Sequence, residues 1–188
     1  MTVPEDAPHR ESGLRESVRQ AAGLTIVTGG QTGVDTLAAR AALAAGLPVH
    51  VLFPAGWRQE DGPLTDERRR ELAGATLHEL SSAGFEYRTW TGVCVSDAVL
   101  LLDPAGGAGC RETARAARAL GRHLLEPGAG ALTAETAARW LAETAARVVL
   151  VAGCRASLLS RPGDVRAVRA GIAAFMAGAR LRQDGLSG

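Results

Sequence analysis

Gly29-Gly30-Gln31-Thr32-Gly33-Val34-Asp35 follows, one residue on, the apolar run Leu24-Thr25-Ile26-Val27. β-Branched residues, clustered glycines and then an alanine-rich stretch predict strand, tight loop and helix in close succession. Glycine permits positive φ and lets backbone N–H groups approach a ligand. The helix that follows turns its partial positive end to the same spot. The segment therefore suits an anion, most often a phosphate, with Gln31 and the Thr32 hydroxyl beside the backbone donors. The spacing is not the G-x-G-x-x-G of a dinucleotide site. Nor is it a Walker A loop, because no Lys-Ser/Thr pair follows. Asp35, in the first helical turn, suits the helix dipole or would touch a sugar or a pterin N–H group.

The same alternation continues along the chain. Helix is predicted from Val34 to Ala45, stopped by Gly46, and strand from Leu47 to Phe53. A polar loop runs from Trp57 to Pro63, and Asp66 to Leu72 reads as a short helix. Thr76 to Leu80 is either strand or irregular. Thr89 to Ser96 turns helically before Ala98–Leu102, the clearest buried strand. Helix 111–120, strand His123–Leu125, a helix capped by Thr133, strand Val148–Val151 and a long helix from Asp164 to Leu181 complete the pattern. Strands alternating with helices imply an α/β, Rossmann-like three-layer sandwich with a mostly parallel, doubly wound sheet. Residues 23–182 form that single domain, after a partly disordered extension at 1–22.

Right-handed crossovers place all strand C-termini on one edge. Three glycine-bearing loops then converge on one crevice, the usual ligand position in such sheets. The second loop holds Gly106, Gly107, Gly109 and Cys110. Arg111 beyond it either forks onto a phosphate or pairs with Glu112. The third loop offers Arg155 and Ser157 to an oxyanion. Arg58, Glu60 and Asp61 could read the donors and acceptors of a heterocycle, although charged loops usually face solvent. Asp97 precedes the buried strand and falls on the opposite edge unless the turn before it folds back. Its alternative role is a cap for backbone N–H groups.

Net charge is +1, which gives no electrostatic case for nucleic acid or membrane surfaces. No apolar run approaches the ~20 residues of a membrane span. Three cysteines, far apart in sequence, argue against a disulfide framework and for a reducing cytoplasm. The four histidines show no metal-ligand spacing. Cys110 and Cys154 sit in loops expected to converge and could meet a soft metal or a sulfur-rich ligand. Small, buried side chains are the commoner outcome. No nucleophile elbow is visible.

GGQTGVD at 29–35, GWRQEDGPL at 56–64, YRT at 87–89, SDAVLLL at 96–102, GG at 106–107 and VAGCRAS at 151–157 occur in that order. Together they resemble the molybdenum carrier family, in the nucleotide-binding superfamily related to the lysine-decarboxylase-like (LOG) proteins. The likeness spans residues 24 to 175. It implies a Rossmann-like fold, a homo-oligomer, tetramers among them, and protection of molybdenum cofactor as cargo, with molybdoenzymes as recipients. It also implies that Gly29, Gly30, Thr32, Gly33, Arg58, Gly106, Gly107 and Arg155 line the crevice. Family members carry Asn-Val before the Ser-Asp pair, where Gly92-Val93 stands here. Their last loop reads G-P-R-E-S, against Gly153-Cys154-Arg155-Ala156-Ser157.

Two other functions follow from the same crevice. LOG-like nucleoside 5'-monophosphate phosphoribohydrolases carry P-G-G-x-G-T-x-x-E, whose Glu acts at the glycosidic bond. Aligned on Gly106–Gly109, this chain has Cys110 at the Thr and Thr113 at the Glu. Glu112 is one residue early, a rotation of ~100° on a helix. A sensor of a nucleotide-derived signal is the third reading. The missing carboxylate favours a carrier of a phosphate-bearing ligand.

Overall fold

The computed structural model describes residues 12–128 and 131–185. The elements in order are α1 (Ser12–Ser17), β1 (Thr25–Thr28), α2 (Val34–Ala44), β2 (Val49–Phe53), β3 (Arg58–Gln59), β4 (Gly62–Pro63), α3 (Asp66–Glu71) and β5 (Thr76–Glu79). There follow α4 (Phe85–Val95), β6 (Ala98–Leu102), α5 (Ala108–Ala119), β7 (His123–Leu125), α6 (Ala134–Thr144), β8 (Val148–Gly153), a 3-10 turn (Ala156–Leu158) and α7 (Pro162–Gly185). Residues 1–11 of the expected disordered extension lie outside the described residues, and its remainder contains α1.

Six strands form one parallel sheet in the order β5-β2-β1-β8-β6-β7. The α/β Rossmann-like expectation holds. The polar loop expected at 57–63 is instead a small antiparallel hairpin, β3–β4, with Arg58 opposite Pro63. The ambiguous segment at 76–80 becomes an edge strand, because β2 offers it a partner: His50 to Phe53 pair with Thr76 to Glu79.

Period-2 alternation divides the strand residues between two cores. Ile26, Val49, Val51, Phe53, Leu100 and Val151 face Ala38, Leu141 and Phe175 of α2, α6 and α7. Val27, Leu52, Val99, Leu101 and Leu150 face Val18, Trp90, Val93 and Ala117 near α1, α4 and α5. Fully buried side chains such as Phe53 and Phe175 each contribute about 1.5–3 kcal/mol through burial. The central strands β1, β8 and β6 are neighbours, so the loops leaving their C-terminal ends are neighbours too.

Asp97 requires a correction. It stands at the N-terminal end of β6, on the edge away from those loops. Its carboxylate accepts from Arg147 N–H at 3.0 Å and Val148 N–H at 2.9 Å, while Asp97 N–H donates to the Val148 carbonyl at 2.8 Å. Arg19 pairs with the same carboxylate. The turn before β6 does not fold back, so Asp97 fastens β6 to β8 instead of meeting a ligand.

Buried His50 on β2 lies 2.8 Å, Nδ1 to Nε2, from His78 on β5. Burial, with help from His78, lowers its pKa to about 4 from 6.5. The unfolded chain therefore takes up its proton first as pH falls. We expect stability to decline from about pH 6.5 down to about pH 4, then level off for this group. In urea titrations across that range, His50→Gln should show a shallower acid limb than the parent chain. An unchanged limb would remove His50 as its source.

Candidate functional site

A cleft of about 470 Å³ opens at the C-terminal edge of the sheet, between α4 and α5 and the loops after β1 and β8. Its walls include Gln31, Asp35, Phe85, Arg88, Gly107, Gly109, Cys110, Glu112, Thr113, Arg115, Cys154, Arg155 and Leu158. The volume falls in the range usual for small-molecule sites, ~300–1,000 Å³.

The first and third loops touch backbone to backbone. Val34 N–H donates to the Cys154 carbonyl at 3.0 Å. Gly33 has φ +83, and a Cβ there would lie 2.5 Å from that carbonyl oxygen, so only glycine fits. Ala156 N–H reaches the Thr32 hydroxyl at 3.2 Å. Several donors expected to face a phosphate are thus already engaged. Gln31 N–H binds the Asp35 carboxylate at 3.2 Å.

Asp35 and Arg88 form a buried ion pair at 3.3 Å, with side chains 4% and 13% exposed. Burial pushes Asp35 above the usual carboxylate range, against the pull of Arg88 and of N–H groups of Gln31 and Gly29. Burial likewise lowers Arg88, against the pull of Asp35. The guanidinium crosses over Gly29: a Cβ there would fall 1.4 Å from Arg88 Nη1. Arg88 Nε is buried and lacks a hydrogen-bond partner among the described residues.

Thr32, Glu60, Arg155 and Ser157 do come together, but around Glu60 itself. The Thr32 hydroxyl donates to Glu60, and the Ser157 hydroxyl donates to its other oxygen at 2.6 Å. Arg155 Nε lies 3.8 Å away. Burial alone would raise Glu60, yet the Ser157 and Thr32 hydroxyls hold it below the ordinary value. The hairpin is fixed further by Gln59 Nε2 on the Gly30 carbonyl at 2.7 Å and by Glu60 N–H on Gln31 Oε1 at 2.9 Å. Arg58 does not line the cleft. It reaches the Ala83 carbonyl and lies over the Phe85 ring, which does.

The second loop is organised by Asp103. Its Oδ1 accepts from Gly106 N–H at 2.9 Å, Gly107 N–H at 3.2 Å and Cys154 Sγ–H at 2.7 Å. Burial opposes ionisation of Asp103, but these donors hold it below the ordinary carboxylate value. Burial and Asp103 push the Cys154 thiol up to about 11, and the same two causes raise Cys110. Arg111 neither forks outward nor pairs with Glu112; its Nη1 donates to the Gly106 carbonyl at 2.5 Å. Glu112 is instead held by Trp90 Nε1 at 2.6 Å and by Arg115 at 2.5 and 2.9 Å.

Of the residues expected at the site, Gln31, Asp35, Gly107, Gly109, Cys110 and Arg155 line the cleft. Gly29, Gly30, Thr32, Gly33, Glu60, Gly106 and Ser157 shape the loops behind it. Arg88, Trp90 and Asp103 join the site without any local sequence signal that marks them. Arg88 appears only inside the YRT piece, and nothing local ties it to Asp35, 53 positions away.

Residues 26–173 match the Circularly permutated YpsA SLOG family. The chain belongs to that family. A solved structure from Syntrophus aciditrophicus SB, described as a "Putative molybdenum carrier protein", shares the fold. It aligns with a TM-score of 0.68 at 24% identity, over 82% of this chain and 95% of that one. No curated protein matches. Among the described residues of this SLOG-family chain, no helix is long and apolar enough to cross a membrane.

Removing Arg88 leaves Asp35 buried and unpaired. We expect Arg88→Met to lower unfolding free energy by about 3–5 kcal/mol in urea titrations at neutral pH. Gly29→Ala should destabilise in the same direction, by displacing the guanidinium. A loss under about 1 kcal/mol in Arg88→Met, the level of a surface pair, would contradict this role.

Proposed function

We propose that the cleft binds a phosphate-bearing small molecule, and that molybdenum cofactor is the cargo this chain carries and shields. The observation that carries the reading is the arrangement around Arg155. Its side chain is half exposed, it lines the cleft, and its ion pair with Glu60 is a long 3.8 Å. A guanidinium so placed can turn to a phosphate and exchange a loose carboxylate contact for a bidentate one.

Two further features support it. The N-terminus of α5 faces the cleft through Gly107, Gly109 and Cys110, adding a partial positive charge. Arg88 also lines the cleft, and its Nε has no acceptor among the described residues. The cleft's charged side chains otherwise balance: Arg88, Arg115 and Arg155 against Asp35, Glu86 and Glu112. A mixed-charge wall fits a ligand with both an anionic tail and a heterocycle of donors and acceptors, as a pterin phosphate has. Carriage would end in transfer to molybdoenzymes, with the carrier acting as a homo-oligomer.

Glu112 favours a second reading, hydrolysis of nucleoside 5'-monophosphates. Although one residue early against the LOG pattern, it lines the same cleft. Hydrogen bonds from Arg115 and Trp90 hold it below the ordinary carboxylate value, so it is ionised at neutral pH. A carboxylate there could stabilise positive charge developing at a glycosidic carbon.

The test is incubation of purified protein with free molybdenum cofactor, desalting, and assay of retained molybdenum and oxidised pterin. Stoichiometric retention with slowed cofactor decay is expected. Arg155→Ala should bind about 10- to 100-fold more weakly, the equivalent of one hydrogen bond to a charged group. Equal retention by Arg155→Ala would remove the assigned contact. No retention by the folded parent, with base release from a nucleoside monophosphate that Glu112→Gln abolishes, would install the hydrolase instead. Nucleotide binding without base release would point to a sensor.

A further inference from the structure

Asp103, Cys110 and Cys154 reach one another from three separate places in the fold. Asp103 follows the last residue of β6, Cys110 lies in the first turn of α5, and Cys154 follows the last residue of β8. Their ligating atoms, one carboxylate oxygen and two sulfurs, all lie within 4.8 Å of one another. The cysteines are 4% and 1% exposed, yet both line the cleft. We propose that these three residues form a binding site for a zinc-class divalent cation on the cleft wall, with one coordination position open to the cleft.

The donor chemistry selects the ion class. Two thiolates and a carboxylate suit zinc and exclude magnesium or calcium, which require oxygen ligands. Zinc–sulfur bonds of about 2.3 Å and zinc–oxygen bonds of about 2.0–2.2 Å, set tetrahedrally, place donors roughly 3.4–3.8 Å apart. The observed Cys154 Sγ to Asp103 Oδ1 separation is 2.7 Å. Opening it to that range needs a side-chain movement of about 1 Å or less.

The surroundings hold the ligands in place. N–H groups of Gly106 and Gly107 fix the Asp103 carboxylate. The Cys154 backbone is tied down by Val34 N–H. Cys110 is held in the first turn of a 12-residue helix. Ion uptake forms two metal–sulfur bonds and one metal–oxygen bond in place of bonds from the hydrated ion to water, and each thiol releases its proton to solvent. Three protein ligands leave a tetrahedral ion one vacancy, as in catalytic zinc sites. Because both cysteines line the cleft, that vacancy accepts water or a donor atom of the bound ligand. Cys94, on α4, is not in the cluster and serves as an internal control.

The test uses the full chain, reduced and stripped with chelator under inert gas. Co²⁺ is the spectroscopic probe and Zn²⁺ the competitor. Expected is uptake of one Co²⁺ per chain with a thiolate-to-cobalt charge-transfer band in the near ultraviolet, bleached by Zn²⁺. Cys110→Ser and Cys154→Ser should lose the band, and Cys94→Ser should keep it. Should either serine variant fail to fold, alkylation of the parent decides: Zn²⁺ should protect Cys110 and Cys154, but not Cys94, from iodoacetamide. The proposal is overturned if the folded, reduced parent takes up no Co²⁺. It is equally overturned if the band survives both serine variants or if Zn²⁺ protects neither cluster cysteine. A Cys110–Cys154 disulfide in the protein as purified, with no metal uptake after reduction, would replace the metal site with a redox pair.

Discussion

The hydrogen bond from Val34 N–H to the Cys154 carbonyl is the constraint on which the rest of the site depends. It exists because β1 and β8 are adjacent and because Gly33 leaves no Cβ between the two loops. Through it the first turn of α2 and the loop after β8 form one unit. That unit places Arg155 on the cleft wall, sets Cys154 beside Asp103, and brings Ser157 and Thr32 together over Glu60.

A helix N-terminus after a glycine-rich turn is commonly a place for a foreign anion. Here the protein supplies anions of its own. Asp35 takes the Gln31 N–H, Glu60 takes the Thr32 and Ser157 hydroxyls, and Asp103 takes the N–H groups of the second loop. The cleft is therefore not a basic funnel. Recognition rests on a few arginines whose carboxylate partners differ in strength, from the buried Asp35–Arg88 pair to the loose Glu60–Arg155 contact.

The order of strands and helices was legible because alternation of apolar runs with glycine stops is a local signal. The convergence of three loops followed from topology alone. What was not legible depends on partners distant in sequence. The helix expected from Thr89 starts a turn earlier, at Phe85, and that extra turn carries Arg88. Asp103 has an unremarkable place after a strand, and only the arrival of Cys154, 51 positions on, gives it a role. The hairpin at 58–63 is two residues per strand, too short for periodicity to mark. Sequence cannot show whether the turn before Asp97 folds back, so it does not separate a ligand contact from a cap.

The overlap between Gly29 and the Arg88 guanidinium links two positions that no local motif joins. A side chain at 29 and an arginine at 88 cannot occupy the same volume. A Cβ at 29 therefore requires the guanidinium of Arg88 to move, and with it the counter-charge for Asp35. Positions 29, 35 and 88 should consequently vary together across relatives, although Arg88 stands 53 residues along the chain from the Asp35 it pairs with.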